Sequence, residues 1–203
     1  MSDVGHQSRM TGRPRRELRR PEAVGFQNGR IRSAATATDE LVEGTGVDYR
    51  APALPFFMEN PLRRAGTLGA QGSFSLANTA DRPLPTVATR DVAATAAALL
   101  LDISWSGQAR VPLVGPDNLT PDAMAEVISG VLGRTVHYRQ VPLADYRATL
   151  VRHGASRTTA REFAAMIEAQ NDGIHDVEPH TPGTAATGFR QWCEDTLKSA
   201  ARS

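Results

Sequence analysis

Gly66, Gly69 and Gly72 stand three residues apart, a spacing that can bring main-chain amides against a nucleotide's diphosphate. That chemistry requires a strand entering the turn and a helix leaving it, so that the amides and the helix dipole face the anion. Here the turn follows Glu59-Asn60-Pro61 and runs into Ser73-Phe74-Ser75-Leu76, which alternates like a strand. A surface loop over a cleft is the expectation, not a phosphate site. His175, Asp176, Glu178 and His180 place four metal-capable side chains within six residues. Zinc sites on one short loop are uncommon without cysteine, and Pro179 restricts the curl, so the expectation is an exposed loop between helices and no metal. Cys193 adjoins Trp192 on an apolar helix face, with no histidine nearby in sequence to activate it, and reads as core.

The elements that must position such groups are legible in the patterning. Residues 1–33 carry eight arginines, Arg9, Arg13, Arg15, Arg16, Arg19, Arg20, Arg30 and Arg32, and few large apolar residues. Such a tail cannot offset its ordering entropy and is expected to be disordered. It lacks the aromatic interleaving that would point to nucleic acid. Order should begin near Ala34 with a short helix ended by Gly44 and Gly46. An alternating strand over 47–51 should follow, with Pro52 and Pro55 breaking its ladder, and then a turn or short helix through Phe56-Phe57-Met58. A helix over about 90–102, capped by Thr89, has an almost uncharged body from Val92 to Leu101 and should be largely buried. A strand over 110–115 comes next. Thr120, Pro121 and Gly133 mark both ends of an amphipathic helix carrying Met124, Val127, Ile128, Val131 and Leu132. A strand over 135–141 follows, then a helix around Leu143, Tyr146 and Leu150 ending at Gly154. A further helix over 156–170 centres on Phe163 and Ile167. A last one, 187–200, has Phe189, Trp192, Cys193 and Leu197 on one face.

Bulk composition narrows the class. The chain has 203 residues, 40% of them hydrophobic, with 23 basic and 22 acidic side chains, and is long enough for one sizeable core. A net charge of +1 creates no overall field that would call for a polyanionic partner. The lone Cys193 cannot form an internal disulfide, and no apolar run approaches the ~20 residues of a membrane span. A cytoplasmic location without membrane association is expected.

Several landmarks occur together in order. They are Val47-Asp48-Tyr49-Arg50, Phe57-Met58-Glu59-Asn60, Val87-Ala88-Thr89-Arg90-Asp91-Val92-Ala93, Leu113-Val114-Gly115-Pro116-Asp117-Asn118-Leu119-Thr120 and Val131-Leu132-Gly133-Arg134, closing with Phe189 to Trp192. Over roughly residues 34–200 the chain resembles the C-terminal part of the NmrA-like proteins, atypical short-chain dehydrogenases that bind NADP or NAD. The resemblance implies an α/β fold, an incomplete Rossmann-like sheet over 34–118 and a small, mainly helical substrate lobe over 119–203. It implies a cofactor-facing role for Pro55, Phe57 and Met58 and a substrate-cleft position for Asn60. It also implies that the N-terminal half that would grip the diphosphate is lacking, so that cofactor binding by this chain alone is not expected. The family's tyrosine with a lysine four residues on has no counterpart: Tyr49, Tyr138 and Tyr146 lack it, and the sole lysine is Lys198.

Three functions fit. One is an NAD(P)H-dependent oxidoreductase of small carbonyl or quinone substrates. Another is a non-catalytic regulator that binds a protein partner, or a second copy, through the sheet edge left open. The third is a truncated product with no activity of its own.

Overall fold

The computed structural model describes residues 34–60, 68, 71–174 and 184–201. The arginine-rich tail, Gly66, Gly69 and the segment holding His175, Asp176, Glu178 and His180 lie outside them. Helix α1 (Ala34–Gly44) leads through Gly46, at φ +74°, into strand β1 (Tyr49–Ala53), and β2 (Phe56–Phe57), β3 (Ser73–Leu76) and β4 (Leu84–Val87) follow. Next come α2 (Thr89–Leu101), β5 (Gln108–Pro112), β6 (Asn118–Leu119) and α3 (Pro121–Leu132). Strand β7 (His137–Gln140), α4 (Leu143–Arg152) and α5 (Arg157–Asn171) precede a C-terminal helix. That helix runs through α6 (Phe189–Trp192), a π-helical stretch (Cys193–Leu197) and α7 (Lys198–Ala200).

The strands form three small sheets. β1 pairs with β5 in parallel, β3 with β7 in parallel, and β4 lies between β2, parallel, and β6, antiparallel. This is the α/β architecture expected. Two details differ from the sequence reading. Pro52 does not break the ladder but sits within β1, opposite Val111. Tyr49 N–H donates to Gly107 O at 3.0 Å, and Ala53 O accepts from Leu113 N–H at 3.1 Å. Residues 49, 51 and 53 therefore turn their main chains toward β5, and the missing N–H of Pro52 falls on the other edge, where proline is tolerated. Phe56 and Phe57 are likewise strand, not turn. They sit opposite Thr86 and Val87.

The main core is built by Met58, Phe74, Leu84 and Ala88 packing against Met124, Ile128 and Val131 of α3 and Phe189, Trp192, Cys193 and Leu197 of the C-terminal helix. It thus draws on residues both before and after 118. The single face read for the last helix is borne out by its buried positions. Two burial expectations fail. Helix α2 buries none of its residues, because no described element covers its outer side. Phe163 is 45% exposed while Ala160, Ile167 and Gln170 form the buried stripe of α5.

Helix α3 folds as its end signals require. Thr120 Oγ1 accepts from Ala123 N–H at 3.1 Å, Pro121 stands at the first turn, and Gly133 closes the helix at φ +67°. Thr120→Ala is expected to lower stability by about 1 kcal/mol, read as a drop in the urea midpoint, whereas Thr120→Ser should leave the midpoint nearly unchanged.

Candidate functional site

Strand β1 passes through Leu54 and Pro55 into β2, so one stretch of chain serves two sheets. Beyond β2, Met58 N–H donates to Val87 O at 3.0 Å, and beyond β5, Gly115 N–H donates to Thr86 O at 2.7 Å. Residues 54–60, 87–89 and 113–115 therefore gather where open α/β sheets bind their ligands.

The strand's alternation divides its side chains. Phe56 packs on the main core, while Phe57 joins a second cluster with Val87, Leu113 and Ala185, flanked by Leu54 and Val92. Pro55, Phe57 and Asn60 are half-buried. Met58 is fully buried, and its Cε lies 3.3 Å from the position a Cβ would take on Gly115. Pro55, Phe57 and Asn60 thus keep partly exposed side chains next to the buried Met58.

Glu59 holds this segment in place. Its Oε1 accepts from Thr89 N–H at 3.0 Å and from Trp192 Nε1–H at 3.1 Å, and its Oε2 is buried with no partner among the described residues. The carboxylate sits at the N-terminus of α2, where the helix dipole favours it. Thr89, read as the cap of α2, is instead its first residue and is served by Glu59; the capping position, Ala88, has no side-chain bond. Two more acids hold the C-terminal segment. Asp91 accepts from Thr187 N–H and Oγ1–H, both at 2.9 Å, and Asp117 Oδ2 accepts from Phe189 N–H at 2.7 Å. Arg90 spans from Thr187 Oγ1 to Asp195 at 3.0 and 2.9 Å. Sequence reading gave Glu59, Asp91 and Asp117 no role in holding these segments together. Their partners lie 30 to 133 residues away, beyond any local pattern.

Tyr49 and Tyr138 are not set up to release a proton. The Tyr138 hydroxyl is within hydrogen-bond reach of the Leu76 and Asn78 carbonyls. Burial raises its pKa, nearby Asp122 adds to this, and the bond to Leu76 offsets part. Tyr49 donates to Asp39 at 2.7 Å, and that bond, with lesser help from burial, raises its pKa too. Burial pushes the Cys193 thiol up to about 12, Arg190 pulling slightly the other way, which keeps it protonated and unreactive at neutral pH.

A dinucleotide fits this arrangement at one end only. Pro55, Phe57 and Asn60 suit a flat, partly apolar ring bearing an amide. The diphosphate needs unspent amides at a helix N-terminus, and the Thr89 N–H of α2 and the Phe189 N–H of α6 are taken by Glu59 and Asp117. Gly72, the described member of the glycine triplet, adopts φ +58° and leads into β3, a strand. Among the described residues no group of three histidine, cysteine, aspartate or glutamate side chains could hold a metal ion, and no helix is long and apolar enough to cross a membrane.

The family model described as the NmrA-like family matches residues 53–192. The chain belongs to the NmrA-like family. Solved structures agree on the fold. Triphenylmethane reductase of Citrobacter sp. superposes with a TM-score of 0.62 at 20% identity over 89% of this chain. An NADPH-dependent quinone oxidoreductase of Escherichia coli gives 0.60 at 19% over 82%. NmrA, a negative transcriptional regulator in complex with NAD, gives 0.55 at 13% over 82%. The reductase has also been solved with NADP(H) and the quinone oxidoreductase with NADPH. This NmrA-like chain spans 63%, 59% and 58% of the lengths of those three. It spans 56% of a curated relative, prestalk A differentiation protein A of Dictyostelium discoideum, to which it is 18% identical over 173 residues. The fold is Rossmann-like.

Proposed function

We propose that this chain forms the nicotinamide and substrate side of an NAD(P)H-dependent oxidoreductase that reduces small carbonyl or quinone compounds. What supports this reading is that the carboxyl ends of β2 and β4 and the chain leaving β5 meet beside the partly exposed Pro55, Phe57 and Asn60. The bound cofactor would supply a hydride to the substrate's carbonyl carbon or quinone ring. Pro55 and Phe57 would wall the nicotinamide ring and exclude water, with Met58 filling the space behind them. Asn60, with one donor group and one acceptor, would orient the substrate oxygen. In the absence of the tyrosine and lysine pair, the proton that completes the reduction would come from water at these side chains. The missing pair, together with the fold likeness to a transcriptional regulator, favours a second reading in which these side chains sense a dinucleotide or meet a partner without turnover.

Titrating the purified chain with NADPH and with NADH, followed by heat and by nicotinamide fluorescence, is expected to show no saturable binding at micromolar concentration. Tight binding would overturn the view that the diphosphate site is incomplete. Replacing the residues that match Phe57 and Asn60 in the Citrobacter reductase by alanine should lower kcat/KM at least tenfold. Unchanged turnover there would remove both positions from the site.

A further inference from the structure

The segment leaving β3, from Leu76 to Thr79, is fixed from the core side. The Tyr138 hydroxyl lies within hydrogen-bond reach of the Leu76 and Asn78 carbonyls, and its ring meets that of Phe74 with centroids 5.3 Å apart. Helices α4 and α5 hang from this same segment at both ends. Where the chain enters α4, Val141 N–H donates to Leu76 O at 2.7 Å. Where it leaves α5, Asn171 Oδ1 accepts from Thr79 N–H at 2.9 Å and Asn171 Nδ2–H donates to Ala77 O at 3.0 Å. Gln170 Oε1 accepts from Asn78 Nδ2–H at 2.9 Å, and both of these side chains are buried. Helices α4 and α5 pack chiefly on each other. Among the described residues, neither core cluster takes in a member of 143–171. Thr79 lines one cleft with Asn78, Gln170 and Asn171, and its Oγ1 is buried with no partner among the described residues. A buried hydroxyl without a partner weighs against the closed arrangement, and water reaching it on opening relieves that cost.

We propose that α4 and α5 form a lid that opens as one unit about Val141 and Pro142. It is released when the Gln170 and Asn171 carboxamides part from residues 77–79, while the core around α3 stays folded. The bonds that hold it are between neutral groups, and water replaces them on opening, so each contributes modestly. An element with little share in the apolar interior opens at a lower free energy than the whole domain unfolds. The packing of α4 on α5 survives the motion, which makes the pair move together. Thr79 sets the balance in the opposite sense to Gln170, since its unpaired hydroxyl disfavours the closed lid. The proposal concerns the fold alone and stands whether or not the chain turns over a substrate.

Native-state hydrogen exchange on the full chain tests this. In the parent, amides across 147–152 and 161–171 are expected to exchange at least about tenfold faster than those of 125–131 in α3. Ile128 is fully buried in the main core. Ile128→Val should speed exchange in α3 about fivefold and leave both lid helices unchanged, because the lid opens without disturbing that core. Gln170→Leu, which leaves Asn78 Nδ2–H buried and unpaired, should speed exchange about tenfold through both lid helices. Thr79→Val, which removes the unpaired hydroxyl and keeps the shape, should slow it by about threefold or more. Lid amides as slow as those of α3 in the parent, or Ile128→Val speeding lid and α3 alike, would overturn the proposal. So would acceleration confined to α5 in Gln170→Leu, or a Thr79→Val protein whose lid exchanges no more slowly than the parent's. Should Gln170→Leu fail to fold, the parent, Ile128→Val and Thr79→Val decide the matter by themselves.

Discussion

Trp192→Ala is expected to leave the chain at the margin of folding, with a loss of about 3–5 kcal/mol. Typical domains have about 5–15 kcal/mol in all. Trp192 is 1% exposed, stacks on Phe189 with ring centroids 5.7 Å apart, and joins the cluster formed by Met58, Met124 and Ile128. Its removal opens a cavity at the junction of α3, the C-terminal helix and the segment after β2. It also deprives Glu59 Oε1 of one donor, although Thr89 N–H remains. Trp192→Phe separates these effects. The ring volume is largely kept, and the lost hydrogen bond to a carboxylate should cost about 1–3 kcal/mol. Urea unfolding followed by circular dichroism measures both. Equal midpoints for the two variants would show that the hydrogen bond, not the packing, carries the residue's contribution.

Gly115→Ala should cost about 2–3 kcal/mol, near the upper end of ordinary overpacking. A Cβ there would stand 2.8 Å from the Thr86 carbonyl oxygen, 3.3 Å from Met58 Cε and 3.4 Å from the Thr187 carbonyl oxygen. Two of those neighbours are main chain and cannot rotate away. Gly115 cannot retreat either, since its own N–H is bonded to Thr86 O at 2.7 Å. The strain must be taken up by moving β4, which carries β2 with it and displaces Phe57 and Asn60. The same unfolding measurement checks the magnitude. A Gly115→Ala protein as stable as the parent would mean that the close approach of residues 113–115 to β4 is not a constraint on the fold.

The elements whose signals are local were legible in the chain. Helix α3 was marked by Thr120, Pro121 and Gly133, and the buried face of the C-terminal helix by the spacing of Phe189, Trp192, Cys193 and Leu197. What sequence alone could not give depends on neighbours far along the chain. An uncharged helix implies burial only if something covers it, and α2 has no cover among the described residues. A proline argues against a strand only where its N–H would be needed, and Pro52 faces the edge where β5 is not. Phe57 and Asn60 were named because they stand in a segment resembling a known family; Phe57 ends β2 and Asn60 follows three residues on. The anchor between them, Glu59, was missed. Its bonds to Thr89 and Trp192 belong to no short motif, and only the folded chain brings a carboxylate at 59 to an indole at 192.

The distribution of the core along the polypeptide has a bearing on how the protein is made. Phe189, Trp192, Cys193 and Leu197 close a cluster begun by Met58 and Phe74, so a nascent chain emerging from the ribosome cannot complete this interior until Leu197 has been synthesised. Until then the inner faces of β2, β3 and α3 are uncovered, which is when a growing chain is most open to aggregation and to chaperone capture. A stop codon just before Trp192 would therefore remove the side chains that close the core and is expected to prevent folding.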